Sequence, residues 1–157
     1  MEMNSVRNKS LHDIRRDADY LDPPERLIVG GVRLWLEAPA NWPLVAEDFR
    51  LAFGDDEYLF ALNGFKGLLE LLARDARRTL YFHKPCCNRV STDERTLLTL
   101  LAALQHGRHE HAQAVLRWLL PTPQQGAAYI HAFWLACGMV ECGLMLRPPI
   151  ENEGIWC

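Results

Sequence analysis

Between Tyr58 and Leu72 the residues Tyr58, Leu62, Phe65, Leu69 and Leu72 recur at alternating spacings of four and three. That period gathers them on one face of an α-helix, whereas a strand would scatter them over both faces. Ala61 and Leu68 widen the stripe, so the spacing predicts a long core helix from Glu57 to about Ala73. Other segments of the same kind flank it, each punctuated by proline or glycine. Pro24 opens a helix from Glu25 to about Glu37 with Ile28, Val32 and Trp35 on one face. Gly30-Gly31 in its middle costs about 1 kcal/mol per glycine relative to alanine, so the pair is expected to admit close approach of another helix. Asn41-Trp42-Pro43 starts a further helix on Val45, Phe49, Ala52 and Phe53; Gly54 stops it, and Asp55 or Asp56 is placed to cap the long helix that follows.

The regular pattern resumes at Ser91-Thr92-Asp93-Glu94, a capping box ahead of Leu97, Leu98, Leu101 and Leu104. His106-Gly107 ends that helix, and Ala112, Val115, Leu116 and Leu119 form the face of the next, which Pro121 terminates. Thr122-Pro123 starts the last, whose apolar span from Gly126 to Leu146 has His131 and Glu141 as its strongly polar members. That span is long enough for a bilayer, but Glu141 costs roughly 2–4 kcal/mol there, and a buried central helix is expected instead. Ala128, Ala132 and Ala136 form a ridge of small side chains suited to close packing inside the bundle or in a homodimer.

These segments predict an all-α, single-domain helical bundle of about six or seven helices. The helices at roughly 25–38, 57–74 and 123–145 are expected to supply most of the core, and an extended connector runs near residues 79–90. Residues 1–20 read as a polar N-terminal arm or a short helix on Leu11, Ile14 and Ala18, residues 21–147 as the helical domain, and residues 148–157 as an irregular tail. A chain of 157 residues is long enough to hold such a core without metals or disulfides. Five cysteines without regular spacing argue against a secreted disulfide scaffold. No apolar core of a signal peptide stands in the first 20 residues, so the expected compartment is cytoplasmic. A formal charge of -3 gives no general attraction to nucleic acid or anionic membrane.

The stretch from Thr96 to Pro121, with its turn at Gly107, Ala112 beyond it and then Leu116 and Leu119, is similar to the turn and second helix of a tetratricopeptide unit. Ala103 stands where that family's first helix has a large aromatic residue, and no second copy follows at the 34-residue period of an array. The likeness implies a helical hairpin of the kind used to hold partners.

Candidate chemistry concentrates between Arg74 and Glu94. Thr79-Leu80-Tyr81-Phe82 suits an extended chain, and Pro85 disfavours helix at Lys84. Arg74, Arg77, Arg78, Lys84 and Arg89 form a candidate anion or acidic-partner site, the first three sharing a face if the helix continues that far. His83, Cys86 and Cys87 are candidate zinc ligands or, with the neighbouring cations, the setting of a redox-active thiolate. A fourth ligand would come from Cys142, Cys157 or another histidine, while alternation along an extended chain turns Cys86 and Cys87 to opposite sides. His106, His109, Glu110 and His111 read as a histidine-rich surface turn. No glycine-framed nucleophile turn, P-loop or dinucleotide fingerprint is present, so no catalytic residue is expected. The leading expectation is therefore a non-enzymatic helical protein-interaction or regulatory module working through a protein partner or self-association. A zinc or thiol protein and a small-ligand-binding bundle are the alternatives.

Overall fold

The computed structural model describes residues 21–149 and shows an all-α helical bundle of six α-helices among them. They are α1 (Pro23–Glu37), α2 (Trp42–Phe53), α3 (Tyr58–Asp75), α4 (Thr92–Gln105), α5 (His109–Leu119) and α6 (Thr122–Glu141). A single 3-10 turn, Pro39–Asn41, joins α1 to α2. The expected arm or helix at residues 1–20 and most of the expected tail, residues 150–157, lie outside the described residues.

Local signals place most of these boundaries. Pro23 opens α1, where the Asp22 amide donates to Glu25 Oε1 at 2.9 Å to close a capping box. Gly54 ends α2 in the left-handed half of backbone space at φ +91°. Neither aspartate caps α3. Glu57 precedes it, and Asp55 instead pairs with Arg50 at 2.7 Å, so the nearer cation has taken the carboxylate the cap would have used. The last helix also stops earlier than its apolar run. Gly143 adopts φ +74°, and Leu144 donates its amide to the Met139 carbonyl at 2.8 Å, ending α6 at Glu141 rather than near residue 145. The chain beyond is tied to the end of α4, where Leu146 donates to Gln105 Oε1 at 2.7 Å.

The core also differs in emphasis from the sequence expectation. α4 is its central helix, with Leu97, Leu98, Leu100, Leu101, Ala102, Ala103 and Leu104 all buried. Leu100 and Ala103 complete a buried circumference that a one-sided stripe does not reveal, because the helix is covered by α1, α5 and α6 together. α3 lies along α6, and Ala128, Ala132 and Ala136 are buried, so the small-residue ridge serves packing within the bundle. Phe49 and Phe65 stack at 5.1 Å between ring centres, joining α2 to α3. Among the described residues no helix is long and apolar enough to cross a membrane.

The two glycines of α1 separate cleanly. A Cβ built on Gly31 stands 2.8 Å from Phe65 Cε2, so this glycine does admit a close neighbour, whereas one built on Gly30 meets nothing within 4 Å. Gly30→Ala is therefore expected to stabilise the fold by about 0.5–1 kcal/mol through helix propensity, while Gly31→Ala destabilises it by about 1–2 kcal/mol. Urea unfolding of both variants checks the opposite signs.

Candidate functional site

The connector between α3 and α4 is fastened to the first turn of α4 by a buried hub. Arg33 of α1, 4% exposed, and Glu94 of α4, 0% exposed, form a two-pronged pair: Nε donates to Oε1 and Nη2 to Oε2, both at 2.9 Å. The same guanidinium donates to the carbonyls of Cys87 at 2.8 Å and Arg89 at 2.5 Å. The same carboxylate accepts the amides of His83 at 2.8 Å and Ser91 at 2.9 Å. One ion pair thus satisfies backbone groups at both ends of the residue 83–91 loop and joins it to two helices. Ser91 reinforces the closure, its hydroxyl accepting the Glu94 amide at 3.0 Å and donating to the Tyr81 carbonyl at 2.7 Å.

Asp93 makes a second fastening. Its carboxylate accepts Arg78 Nη2 at 2.6 Å and the Tyr81 amide, also at 2.6 Å. The hydrogen bond that Arg78 donates to Asp93 pushes its guanidinium further up from the usual arginine range, against the opposing cost of burial. Arg78 also lies 5.8 Å from the centre of the Trp118 ring.

This arrangement locates each residue singled out in the sequence. α3 ends at Asp75, so Arg77 and Arg78 do not continue the helical face of Arg74. Arg74 pairs with Asp75 at 2.9 Å, and Arg77 Nε donates to the carbonyls of Arg117 and Leu120. Lys84 and Arg89 are exposed in the loop, where Arg89 contributes its carbonyl to Arg33. The guanidinium groups of Arg74, Arg77 and Arg78 are thus spread over three separate attachments, apart from the exposed side chains of Lys84 and Arg89. His83 meets Tyr81 edge-on, with 5.1 Å between ring centres.

The chain is not extended through the cysteine pair. Cys87 donates its amide to the Lys84 carbonyl at 3.0 Å, making a turn centred on Pro85 and Cys86. The two thiols still differ in setting, Cys86 being exposed and Cys87 half-buried. Among the described residues no three His, Cys, Asp or Glu side chains converge as metal ligands. Cys157, one candidate fourth ligand, lies outside them. Burial first, then Glu57 and Glu141, pushes the Cys142 thiol up from its ordinary range; burial and Glu141 do the same to Cys137.

Two clefts border the connector. One of about 500 Å³ runs between α1, α3 and the connector, lined by Trp35, Leu36, Leu69, Leu72, Leu80 and Phe82 among others. Arg78 also lines it but is already committed to Asp93. An orienting polar group of the kind that fixes a small ligand is thus already engaged. The other, about 510 Å³, has the Pro85–Asn88 turn as one wall and Val29, Gly30 and Leu34 opposite.

A further apolar feature, exposed among the described residues, lies elsewhere. On α6 the residues Gly126, Ile130, Phe133, Cys137 and Val140 follow spacings of four, three, four and three along the side turned away from the bundle. That is the spacing of a helix-pairing seam. Ala127 and Trp134 flank it, and Phe60 of α3 packs on Trp134 with 5.4 Å between ring centres. Tyr129 and Phe133 stack at the other margin, where the Tyr129 hydroxyl meets His109 Nδ1 at 2.7 Å. α6 contains no lysine or arginine, and its one carboxylate, Glu141, is at its final residue. The sequence predicts a buried central helix here, whereas the structure leaves Ile130, Phe133, Trp134 and Val140 exposed along one side of it. The signal in the sequence is an asymmetry: Ala128, Ala132 and Ala136 mark one side for close packing beside Leu135 and Met139, while Ile130, Phe133, Trp134 and Val140 fall on the other.

Comparisons with protein-family models, curated proteins and solved structures give no match to this chain.

Proposed function

We propose that this protein is a non-enzymatic, cytoplasmic helical interaction module that holds a protein partner on the outer face of α6. The observation that carries the reading is the exposed seam of Ile130, Phe133 and Val140, widened by Trp134 and Phe60. An uncharged apolar patch on a folded domain is often its functional surface, which supports an interaction site here. Helical spacing along it suits a helix laid lengthwise, as in helix-in-groove recognition. The commitment of Arg33, Arg77, Arg78, Asp93 and Glu94 to holding the connector supports a structural role for that region. Cys86, Cys87, Cys137 and Cys142 are free thiols, in keeping with a reducing compartment.

A benzophenone side chain placed at exposed Ala127 is expected to cross-link to protein in cells. The adduct should disappear when Trp134→Glu is added. An adduct unchanged by that substitution, or no adduct, overturns the assignment of this face.

A further inference from the structure

We infer that the occupant of the α6 face is a second copy of this chain, its α6 packed antiparallel against the first across a two-fold axis near Phe133. The inference rests on the reading of α6 as the interaction surface and names its partner.

Area is the first argument. Phe60, Ile130, Phe133, Trp134 and Val140 are 54%, 49%, 37%, 44% and 42% exposed, which at about 200 Å² per large side chain leaves roughly 450 Å² of apolar surface open. Each partner of a stable pair contributes about 800 Å². The patch is thus the right size for the dry centre of an interface, with its polar rim supplied by neighbouring residues.

Charge is the second. A partner selected by charge needs charges to read, and between Thr122 and Val140 α6 carries no lysine, arginine, aspartate or glutamate. The absence of cations on α6 likewise gives it no pull toward anionic lipid headgroups. An uncharged face meets its own copy without repulsion, as a self-complementary two-fold interface requires.

Symmetry and the helix dipole then fix the direction. Phe133 stands midway between Gly126 and Val140, so reversing one helix about Phe133 sets glycine opposite valine at both ends and brings Ile130 within one residue of the level of Cys137, its neighbour along the seam. The antiparallel pair also places each Glu141 beside the positive first turn of the other α6, whereas a parallel pair sets the two carboxylates together at the negative ends.

Sedimentation velocity of the full chain is expected to show a species of twice 18.0 kDa whose population rises with concentration over roughly 1–100 µM. Ile130→Glu is expected to weaken association at least ~100-fold, with circular dichroism confirming that it stays folded. Ile130→Cys, a milder change, is expected under an added oxidant to form a disulfide between position 130 of one copy and Cys137 of the other, mapped by mass spectrometry. A wild-type monomer across the range overturns the inference. In that case, cross-links from Ala127 to a different protein would leave the interaction reading standing, and cross-links to residues 1–20 or 150–157 would assign the face to this chain's own ends. A dimer indifferent to Ile130→Glu, or a disulfide joining two copies of Cys137, also overturns it.

Discussion

Glu94→Ala is expected to cost about 3–5 kcal/mol of folding stability, which for a domain of this size lowers the melting temperature by on the order of 10 °C or more. Three losses combine. Arg33, 4% exposed, is left charged without its carboxylate, and the amides of His83 and Ser91 lose their acceptor. The N3 half of the α4 capping box goes as well. Glu94→Gln keeps the volume but turns one oxygen into a donor, and every partner of Glu94 in the hub is already a donor, so it also destabilises. Arg33→Met releases the same hub from the other side and leaves the carbonyls of Cys87 and Arg89 unpaired. Because either change dismantles one shared network, the double variant should lose far less than the sum of the two. The exposed pair of Arg50 and Glu47, 2.5 Å apart, is the control: Glu47→Ala should leave the urea midpoint unchanged within error. A loss below about 1 kcal/mol for Glu94→Ala would mean that the connector is held by something other than this pair.

The division between what the sequence discloses and what it hides runs along the distance of the interactions. Periodicity and caps are local, and they locate α3, the Ser91 capping box and the glycine stops at Gly54 and Gly107. Arg33 and Glu94 are 61 residues apart. In sequence Glu94 reads as the N3 member of a cap, and Arg33 as a cation beside Val32, with nothing to say that the two meet. The basic connector shows the same limit. Arg77 and Arg78 look like an available positive face until the fold brings Leu120 and Asp93 to them. The α6 face was missed for a different reason. A helix with large apolar residues on both sides signals burial, and only the packing of the Ala128, Ala132 and Ala136 side shows that the opposite side is left open.

Gly64→Ala and Gly67→Ala test whether the α3–α6 contact is fixed by backbone or by side chain, and the expected order runs against the raw distances. A Cβ on Gly67 falls 2.5–2.7 Å from atoms of the His131 ring, closer than the 2.9 Å from a Cβ on Gly64 to the His131 carbonyl oxygen. The ring can turn about its side-chain bonds, and its buried Nδ1 has no hydrogen-bond partner among the described residues to hold it. The carbonyl and the Leu135 nitrogen, 3.3 Å from the same Gly64 position, belong to the backbone of α6 and yield only if the two helices separate. Gly64→Ala is therefore expected to destabilise by about 2–3 kcal/mol despite the ~1 kcal/mol that alanine returns in helix propensity. Gly67→Ala should fall within about 1 kcal/mol of wild type, ring displacement and propensity nearly offsetting each other. Urea midpoints rank the two, and a larger loss at Gly67 would show that His131 is locked in place. The separation has a second readout, because Phe60 rides on α3 and its ring partner Trp134 on α6. Parting the helices splits that pair, so Gly64→Ala should also weaken self-association in sedimentation, whereas Gly67→Ala leaves it intact.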